Sequence, residues 1–222
     1  MNTDLFTFGE ALSVFISSDS DSVMSAEKYE RVTAGAEVNV AVTLSRLGLK
    51  PQYFSRFGND QLGSVMLEDI KAEGVDVTLI KRVNSFTAAM VRNSGKTAPV
   101  EISYLRKGSA ASTIEPEDIL DSYLSSTRWL HTTGITCAIS NSGAATVKHA
   151  LQKAVALGVK SSFDLNIRRK LWSEEDAKKV LFPLASNVEL LIGGEDEYQV
   201  VFGSNEPKRI LAEANKRGCK IA

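Results

Sequence analysis

Short apolar runs alternate along the chain with longer stretches whose apolar positions recur at helical spacing. That rhythm predicts parallel strands joined by crossover helices. Strands are expected over residues 5–16, 52–57, 129–133, 160–165 and 188–192, and helices over 37–47, 61–73, 142–157, 174–184 and 206–217. Within 37–47, Val38, Ala41, Val42 and Ser45 fall near one face and Gly48 is the stop signal, while Gly74, Gly158 and Gly218 close later helices in the same way. The predicted architecture is doubly wound α/β.

Residues 77–106 break the rhythm. Three short extended runs, 79–82, 88–92 and 100–105, follow one another without a helix, separated by Asn84-Ser85 and Asn93-Ser94-Gly95. Turn residues between such runs are what hairpins require, so an antiparallel flap is expected, with 28–33 adding a further strand. The domains then divide into an α/β core over 1–16, 34–76 and 111–222 and a β lid over 17–33 and 77–110. Residues 219–222 begin another strand pattern and stop, so the βα series is expected to be cut there, leaving the core C-terminally incomplete.

Composition narrows the functional classes. The 222 residues are 43% hydrophobic and 24% charged, as in ordinary globular proteins. Lys and Arg total 26 against 27 Asp and Glu, a formal charge of −1, so no cationic surplus favours nucleic acid. Cys137 and Cys219, with His131 and His149, show no disulfide framework and no usual zinc spacing. No basic residue precedes Lys28, and 129–147 carries too many polar groups for a membrane span, so a cytoplasmic protein is expected.

Several apparent motifs fail on context. Gly95-Lys96-Thr97 resembles the end of a phosphate-binding loop, but Met90 stands where the earlier glycine belongs and Ala98-Pro99 follows in place of a helix. Neither a G-x-G-x-x-G after the first strand nor a G-x-S-x-G elbow occurs. A stronger candidate is the segment from Thr33 to Asn39, in which Gly35 immediately precedes a helix start. First-turn amides can donate to ligand oxygens, and an Asn amide suits sugar hydroxyls; an ordinary helix start with a solvated Asn39 accounts for the spacing equally well.

The series GEALSVFI at 9–16, AGAEVNVAVTLSRLG at 34–48, FGNDQLG at 57–63, YLRKGSAAS at 104–112, LHTTGIT at 130–136 and FDLNIRRKLWS at 163–173 resembles the ribokinase (phosphofructokinase-B) family of carbohydrate kinases. Within that family it is most similar to the members that phosphorylate 2-keto-3-deoxygluconate. The resemblance implies a ribokinase-like three-layer αβα core with a small antiparallel β lid, and ATP with Mg2+ as cofactors. It assigns Gly35, Asn39, Tyr104, Arg106, Ile135 and Arg168 to the sugar acid, and Asp164, Asn166 and Glu197 to the nucleotide side. Two arginines suit a carboxylate, which guanidinium matches in a planar, bidentate way. Without the family, Arg106 reads as a solvated lid charge, and Arg168, beside Arg169 and Lys170, as part of a basic surface run.

This chain departs from the family pattern in three places. Met90 stands where the middle lid strand tends to carry tyrosine, and Gly194 replaces the asparagine of the Asn-x-x-Glu motif that ends at Glu197. The Gly-Ala-Gly-Asp type segment, which brings the anion hole and the aspartate base, is absent from these residues. The catalytic base is therefore expected beyond Ala222, and the 222-residue chain alone is expected to be inactive. The expected activity of the complete protein is ATP-dependent phosphorylation of the 6-hydroxyl of 2-keto-3-deoxygluconate, in a homo-oligomer built through the lid. The alternatives are another sugar or nucleoside kinase of the family and a catalytically silent sugar-acid-binding module.

Overall fold

The computed structural model describes residues 3–222, so the first two residues of the expected core segment lie outside the described residues. The strands are β1 (Leu5–Phe8), β2 (Leu12–Ser17), β3 (Tyr29–Ala34), β4 (Pro51–Phe54), β5 (Arg56–Gly58), β6 (Lys81–Val83), β7 (Ala89–Arg92), β8 (Ile102–Leu105), β9 (Trp129–Thr133), β10 (Lys160–Asp164) and β11 (Leu190–Ile192). The helices are α1 (Ala36–Arg46), α2 (Gln61–Ala72), α3 (Asp121–Ser125), α4 (Gly134–Ile139), α5 (Asn141–Leu157), α6 (Glu174–Leu184), α7 (Glu195–Phe202) and α8 (Pro207–Lys216).

The core is a parallel sheet in the order β11-β10-β9-β1-β4. Phe6, Phe8, Phe54, Leu130, Phe163 and Leu191 pack from its strands into one cluster with Val147, Ala150 and Leu151 of α5 and Leu181 of α6. Burying each such phenylalanine is worth about 2 kcal/mol. Tyr53 of β4 packs in a second cluster with Val38 and Ala41 of α1 and Met66 and Ile70 of α2. Burial from two layers explains why these strands read as nearly continuous apolar runs. The helix ends carry local stop and start signals: the Ser140 hydroxyl accepts the Gly143 amide at 2.9 Å to start α5, and Gly158, at φ 69°, ends it in the left-handed region.

The expected single strand over 5–16 is two strands in two sheets. After β1 the chain turns through Gly9-Glu10-Ala11, and β2 joins the lid, so residues 12–16 belong to the lid and not to the core. The lid sheet runs β3-β2-β7-β8: β2/β3 and β7/β8 are antiparallel pairs, and a parallel β2/β7 contact joins them side by side. The expected run 79–82 leaves the flap, because β6 pairs in parallel with β5 in a separate ribbon. The strand expected over 52–57 likewise divides at Ser55 into β4 and β5. Helices α3, α4 and α7 are additions to the sequence reading; α3 and α4 are too short to display a period, and α7 buries only Tyr198 and Val201. At 219–222 the strand pattern amounts to a single bridge, in which Leu191 donates its amide to the Ile221 carbonyl at 2.9 Å.

One carboxylate ties the two lid hairpins together. Asp21, in the β2–β3 connection, accepts from Ser94 Oγ at 2.6 Å, Gly95 N at 2.8 Å, Thr97 Oγ1 at 2.7 Å and Ala98 N at 2.6 Å, all in the β7–β8 connection. Hydrogen bonds from Ser94 and Thr97 hold its carboxyl well below the usual carboxylate range. A depressed folded-state value means that the latch contributes above the ordinary value of 3.8 and is lost as the pH falls below it. Asp21→Asn removes the charge and one acceptor oxygen. Hydrogen–deuterium exchange at Gly95, Thr97 and Ala98 is expected to accelerate while the amides of β1 and β9 keep their protection; unchanged exchange at the hairpin would remove Asp21 from this role.

Candidate functional site

Chain order reverses between β1 and β9: the chain goes from β1 to β4 on one side of the sheet, whereas β9, β10 and β11 step away on the other. In open α/β sheets the crevice outside the carboxyl ends of strands at such a switch point is where ligands bind. Here it is bordered by the Gly9-Glu10-Ala11 turn after β1, the start of α4 after β9, the loop after β10 and the first turn of α1.

Gly35 precedes α1 with φ 166°, an extended value open to any residue, so space and not dihedral angle selects glycine there. A Cβ at this position would lie 2.4 Å from the Glu10 carbonyl oxygen and 3.1 Å from Ala11 Cα. No side chain caps α1, and the Asn39 amide N–H makes the first helical bond to Gly35 O at 2.9 Å. Asn39 itself is exposed, and its side-chain amide has no hydrogen bond among the described residues.

Tyr104 and Arg106 descend from the lid into a cleft of about 680 Å3 that Asp60, Phe86 and Ala89 also line. The Arg106 guanidinium lies 5.0 Å from the centre of the Tyr104 ring. Arg106 is not the solvated lid charge of the bare sequence reading. It is buried, and its Nη2 donates to Glu10 Oε2, while Ser109 Oγ donates to Glu10 Oε1 at 3.1 Å. Burial pushes the Glu10 carboxyl up, and the Arg106 charge and these hydrogen bonds oppose it. Met90 faces Tyr104 across the β7/β8 pair, so the position of the family's tyrosine holds a thioether beside an aromatic ring.

Asp164, Asn166, Arg168 and Glu197 gather at the carboxyl end of β10. Asn166 adopts φ 39°, in the left-handed region that Asn tolerates better than most residues. Its Nδ2 donates to Asp164 Oδ2 at 3.1 Å, and its Oδ1 is buried with no partner among the described residues. Burial pushes the Asp164 carboxyl up, and Glu197 nearby adds to the effect. Glu197 accepts the Ile167 amide on Oε1 at 2.6 Å and the Gly194 amide on Oε2 at 2.9 Å. With both oxygens taken by backbone, Glu197 braces the loop after β10, and position 194 contributes through its amide instead of an asparagine side chain. Arg169 is tied to Glu174 at 2.7 Å and Asp196 at 3.0 Å, whereas Arg168 is exposed and makes no ion pair among the described residues.

Ile135 is buried in the first turn of α4, where its amide donates to Thr133 Oγ1 at 3.1 Å. That threonine leads to a residue the sequence reading passed over. Glu37 is fully buried, and its Oε1 accepts from Thr133 Oγ1 at 2.8 Å and Thr136 Oγ1 at 2.6 Å. Burial pushes its carboxyl up to about 7, the two hydroxyls oppose this, and Glu10 adds to it. Glutamate in the first turn of a helix ordinarily faces water and complements the helix dipole, so its place in the sequence does not set it apart. The available signal was its place between Gly35 and buried Val38, together with Thr133 and Thr136 in one uncharged stretch.

No group of three or more His, Cys, Asp or Glu is placed to hold a metal ion among the described residues. No helix among them is long and apolar enough to cross a membrane. The borders of the crevice thus carry a buried acid–base pair, backbone amides, a phenol and, in the loop after β10, a guanidinium with no ion pair among the described residues. Chemically, amides, a phenol and guanidinium groups can serve the hydroxyls and the negative charge of a hydroxylated anion.

Comparison with known proteins agrees in extent and in kind. The sequence signature described as pfkB family carbohydrate kinase matches residues 2–221. The chain is 31% identical to the 2-dehydro-3-deoxygluconokinase of Bacillus subtilis (strain 168), over 100% of this chain and 69% of that protein. It is 30% identical to the 2-dehydro-3-deoxygalactonokinase of Haloferax volcanii, over 90% of this chain and 64% of that protein. Its fold matches the crystal structure of 2-dehydro-3-deoxygluconokinase from Thermotoga maritima with a TM-score of 0.91 and 28% identity, covering 99% of this chain and 71% of that one. The chain thus spans about two thirds of the length of the curated relatives it matches.

The environment of Glu37 has a measurable signature. Its folded-state value of about 7 lies above the ordinary 4.5, so the folded state holds a proton that the unfolded chain releases. Stability from this group is complete below pH 4.5 and falls as the pH rises toward 7, by up to about 1.4 kcal/mol per pH unit. Glu37→Gln cannot ionise. The difference in unfolding free energy between variant and wild type is expected to shift in the variant's favour by up to about 3 kcal/mol over that interval. Denaturant titrations giving the same difference at both ends would show that folding does not shift the titration of Glu37.

Proposed function

The chain belongs to the pfkB family of carbohydrate kinases, and from that premise we propose that its residues form the acceptor side of an ATP-dependent kinase that phosphorylates the 6-hydroxyl of 2-keto-3-deoxygluconate. This sugar acid is the compound also called 2-dehydro-3-deoxygluconate. The observation that carries the reading is Arg168, an exposed guanidinium without an ion-pair partner among the described residues, at the carboxyl end of β10, beside a neighbour, Arg169, that is paired with Glu174 and Asp196. A free guanidinium meets a carboxylate with two parallel hydrogen bonds. Gly35 and the first turn of α1 present amides, Tyr104 presents its phenol, and Asn39 presents an unengaged amide to sugar hydroxyls. Arg106 contributes through the donors that its pairing with Glu10 leaves over.

In phosphoryl transfer the protein chiefly positions groups and stabilises charge. ATP would supply the phosphoryl group and Mg2+ would neutralise its charge. The residues at hand fit that role poorly: Glu197 has both oxygens on backbone amides, burial pushes the Asp164 carboxyl above its ordinary value, and no three metal-ligating side chains cluster among the described residues. The Gly-Ala-Gly-Asp type segment that would bring the base and the anion hole does not occur in these 222 residues, and roughly 10² to 10⁴ in rate goes with such a base alone.

Calorimetric titration of the purified chain tests the acceptor assignment directly. 2-Keto-3-deoxygluconate is expected to bind more tightly than ribose or fructose, and Arg168→Ala to weaken the acid by roughly ten- to a hundredfold while leaving the neutral sugars nearly unchanged. Equal binding of acid and neutral sugars by wild type would move the assignment to another kinase of the family. Arg106→Ala is a poorer probe, because it leaves Glu10 buried without its partner at about 3–5 kcal/mol.

A homo-oligomer through the lid is part of the same proposal. Edge strands β3 and β8 expose Val32 and Leu105, which are 43% and 58% accessible. Pairing would cover such edges. Sedimentation is expected to show a dimer that Leu105→Asp converts to monomer; a wild-type monomer at high micromolar concentration would count against it.

A further inference from the structure

We propose that Glu37 is the positioning residue of the acceptor site: its buried carboxyl fastens the first turn of α1 to the first turn of α4, fixing Gly35 and Ile135 relative to one another. This rests on the acceptor reading above and adds to it a residue that contacts no substrate.

The argument is geometric. Glu37 lies two residues after Gly35, and its Oε1 receives both Thr133 Oγ1 and Thr136 Oγ1. Thr133 Oγ1 in turn accepts the Ile135 amide. A continuous chain of hydrogen bonds therefore runs from the helix that carries one proposed sugar contact to the turn that carries another. The third border of the crevice is pressed against the same carboxyl: a Cβ on Gly9 would lie 2.3 Å from Glu37 Cδ and 2.5 Å from Thr136 Oγ1. Gly9 has no alternative to glycine while Glu37 occupies this place. The Gly9 carbonyl is held in addition by Tyr53, whose hydroxyl donates to it at 2.8 Å.

Stability alone does not account for a carboxyl here. A leucine would fill comparable volume without desolvating a polar group, and buried polar groups are costly unless fully partnered. Oε2 of Glu37 is buried with no partner among the described residues, so the cost is incurred. What the carboxyl provides, and an apolar side chain cannot, is direction: two hydroxyl donors aimed at one oxygen define where both turns sit. Such constraint on a binding constellation is what a supporting residue supplies.

The test compares Glu37→Leu, which keeps volume and removes both acceptors, with Glu37→Gln, which keeps an acceptor oxygen. In titrations with 2-keto-3-deoxygluconate, Glu37→Leu is expected to bind at least roughly tenfold more weakly than wild type, and Glu37→Gln to return to within about threefold of it. Thr136→Val removes one of the two donors at a fully buried position and is expected to cost roughly two- to tenfold; it decides the matter should Glu37→Leu fail to fold. Wild-type affinity in Glu37→Leu or Thr136→Val, or equal loss in the Gln and Leu variants, overturns the proposal. If wild type binds no sugar acid, the acceptor reading falls by itself. Amide exchange at Ile135, expected to quicken in the Leu and Val variants and not in the Gln variant, then decides whether Glu37 holds the two turns.

Discussion

The buried pair of Glu10 and Arg106 joins the two parts of the molecule at the places where the chain passes between them. Glu10 sits in the turn through which the chain leaves the core sheet for the lid, and Arg106 sits just after β8, where it leaves the lid again. Both side chains are nearly inaccessible, so neither charge has water to fall back on. Removing either partner strands the other, which is far more costly than the pair is worth in isolation. The rest of the site is arranged around this contact. Gly35 packs on the Glu10 carbonyl, Ser109 completes the shell of its carboxylate, and Tyr104 lies beside the guanidinium. The lid is therefore fastened by charge to the crevice it borders.

Much of this arrangement was legible in the order of residues. Parallel strands buried on both sides announce themselves as apolar runs, and helices with one apolar stripe and a terminal glycine announce their ends. The reading fails where a break lies buried inside an apolar run, so that a single polar residue such as Glu10 or Ser55 does not announce a loop. Gly9, Glu10 and Ala11 are all buried, so the passage from β1 to β2 looked like the middle of one long strand. Ser55 is buried too, and it hid the division between β4 and β5. Pairing partners were beyond reach for a different reason: periodicity says that 81–83 is extended but not that its neighbour is β5 instead of the lid.

The site divides in the same way. Gly35 could be found by its position before a helix. Tyr104, Arg106, Ile135, Asp164, Asn166, Arg168 and Glu197 came from resemblance alone. Resemblance assigns roles but not partners, so it could not show that Arg106 is committed to Glu10 or that Glu197 is spent on two backbone amides. Glu37 escaped both routes. Its position in a helix's first turn is where acids are commonplace, and only the three-dimensional approach of Thr133 and Thr136 reveals a carboxyl kept from water.

The place of β1 in the middle of the sheet has a consequence for the order in which the protein can assemble during synthesis. Its neighbour β4 follows early in the chain, but its other neighbour is β9, and the bond from Thr7 Oγ1 to the His131 carbonyl spans 124 residues. At roughly 5–20 residues per second, β1 waits on the order of 6–25 s after its own emergence before β9 exists to cover its open edge. Throughout that interval the nascent chain carries an apolar strand with one row of amides and carbonyls not yet paired to another strand. Contacts this distant also slow folding of the released chain, because loop closure must precede the pairing that rewards it. A parallel sheet started from its centre leaves its first strand dependent on a partner made much later, and that strand is where capture by chaperones or mispairing between nascent chains would begin.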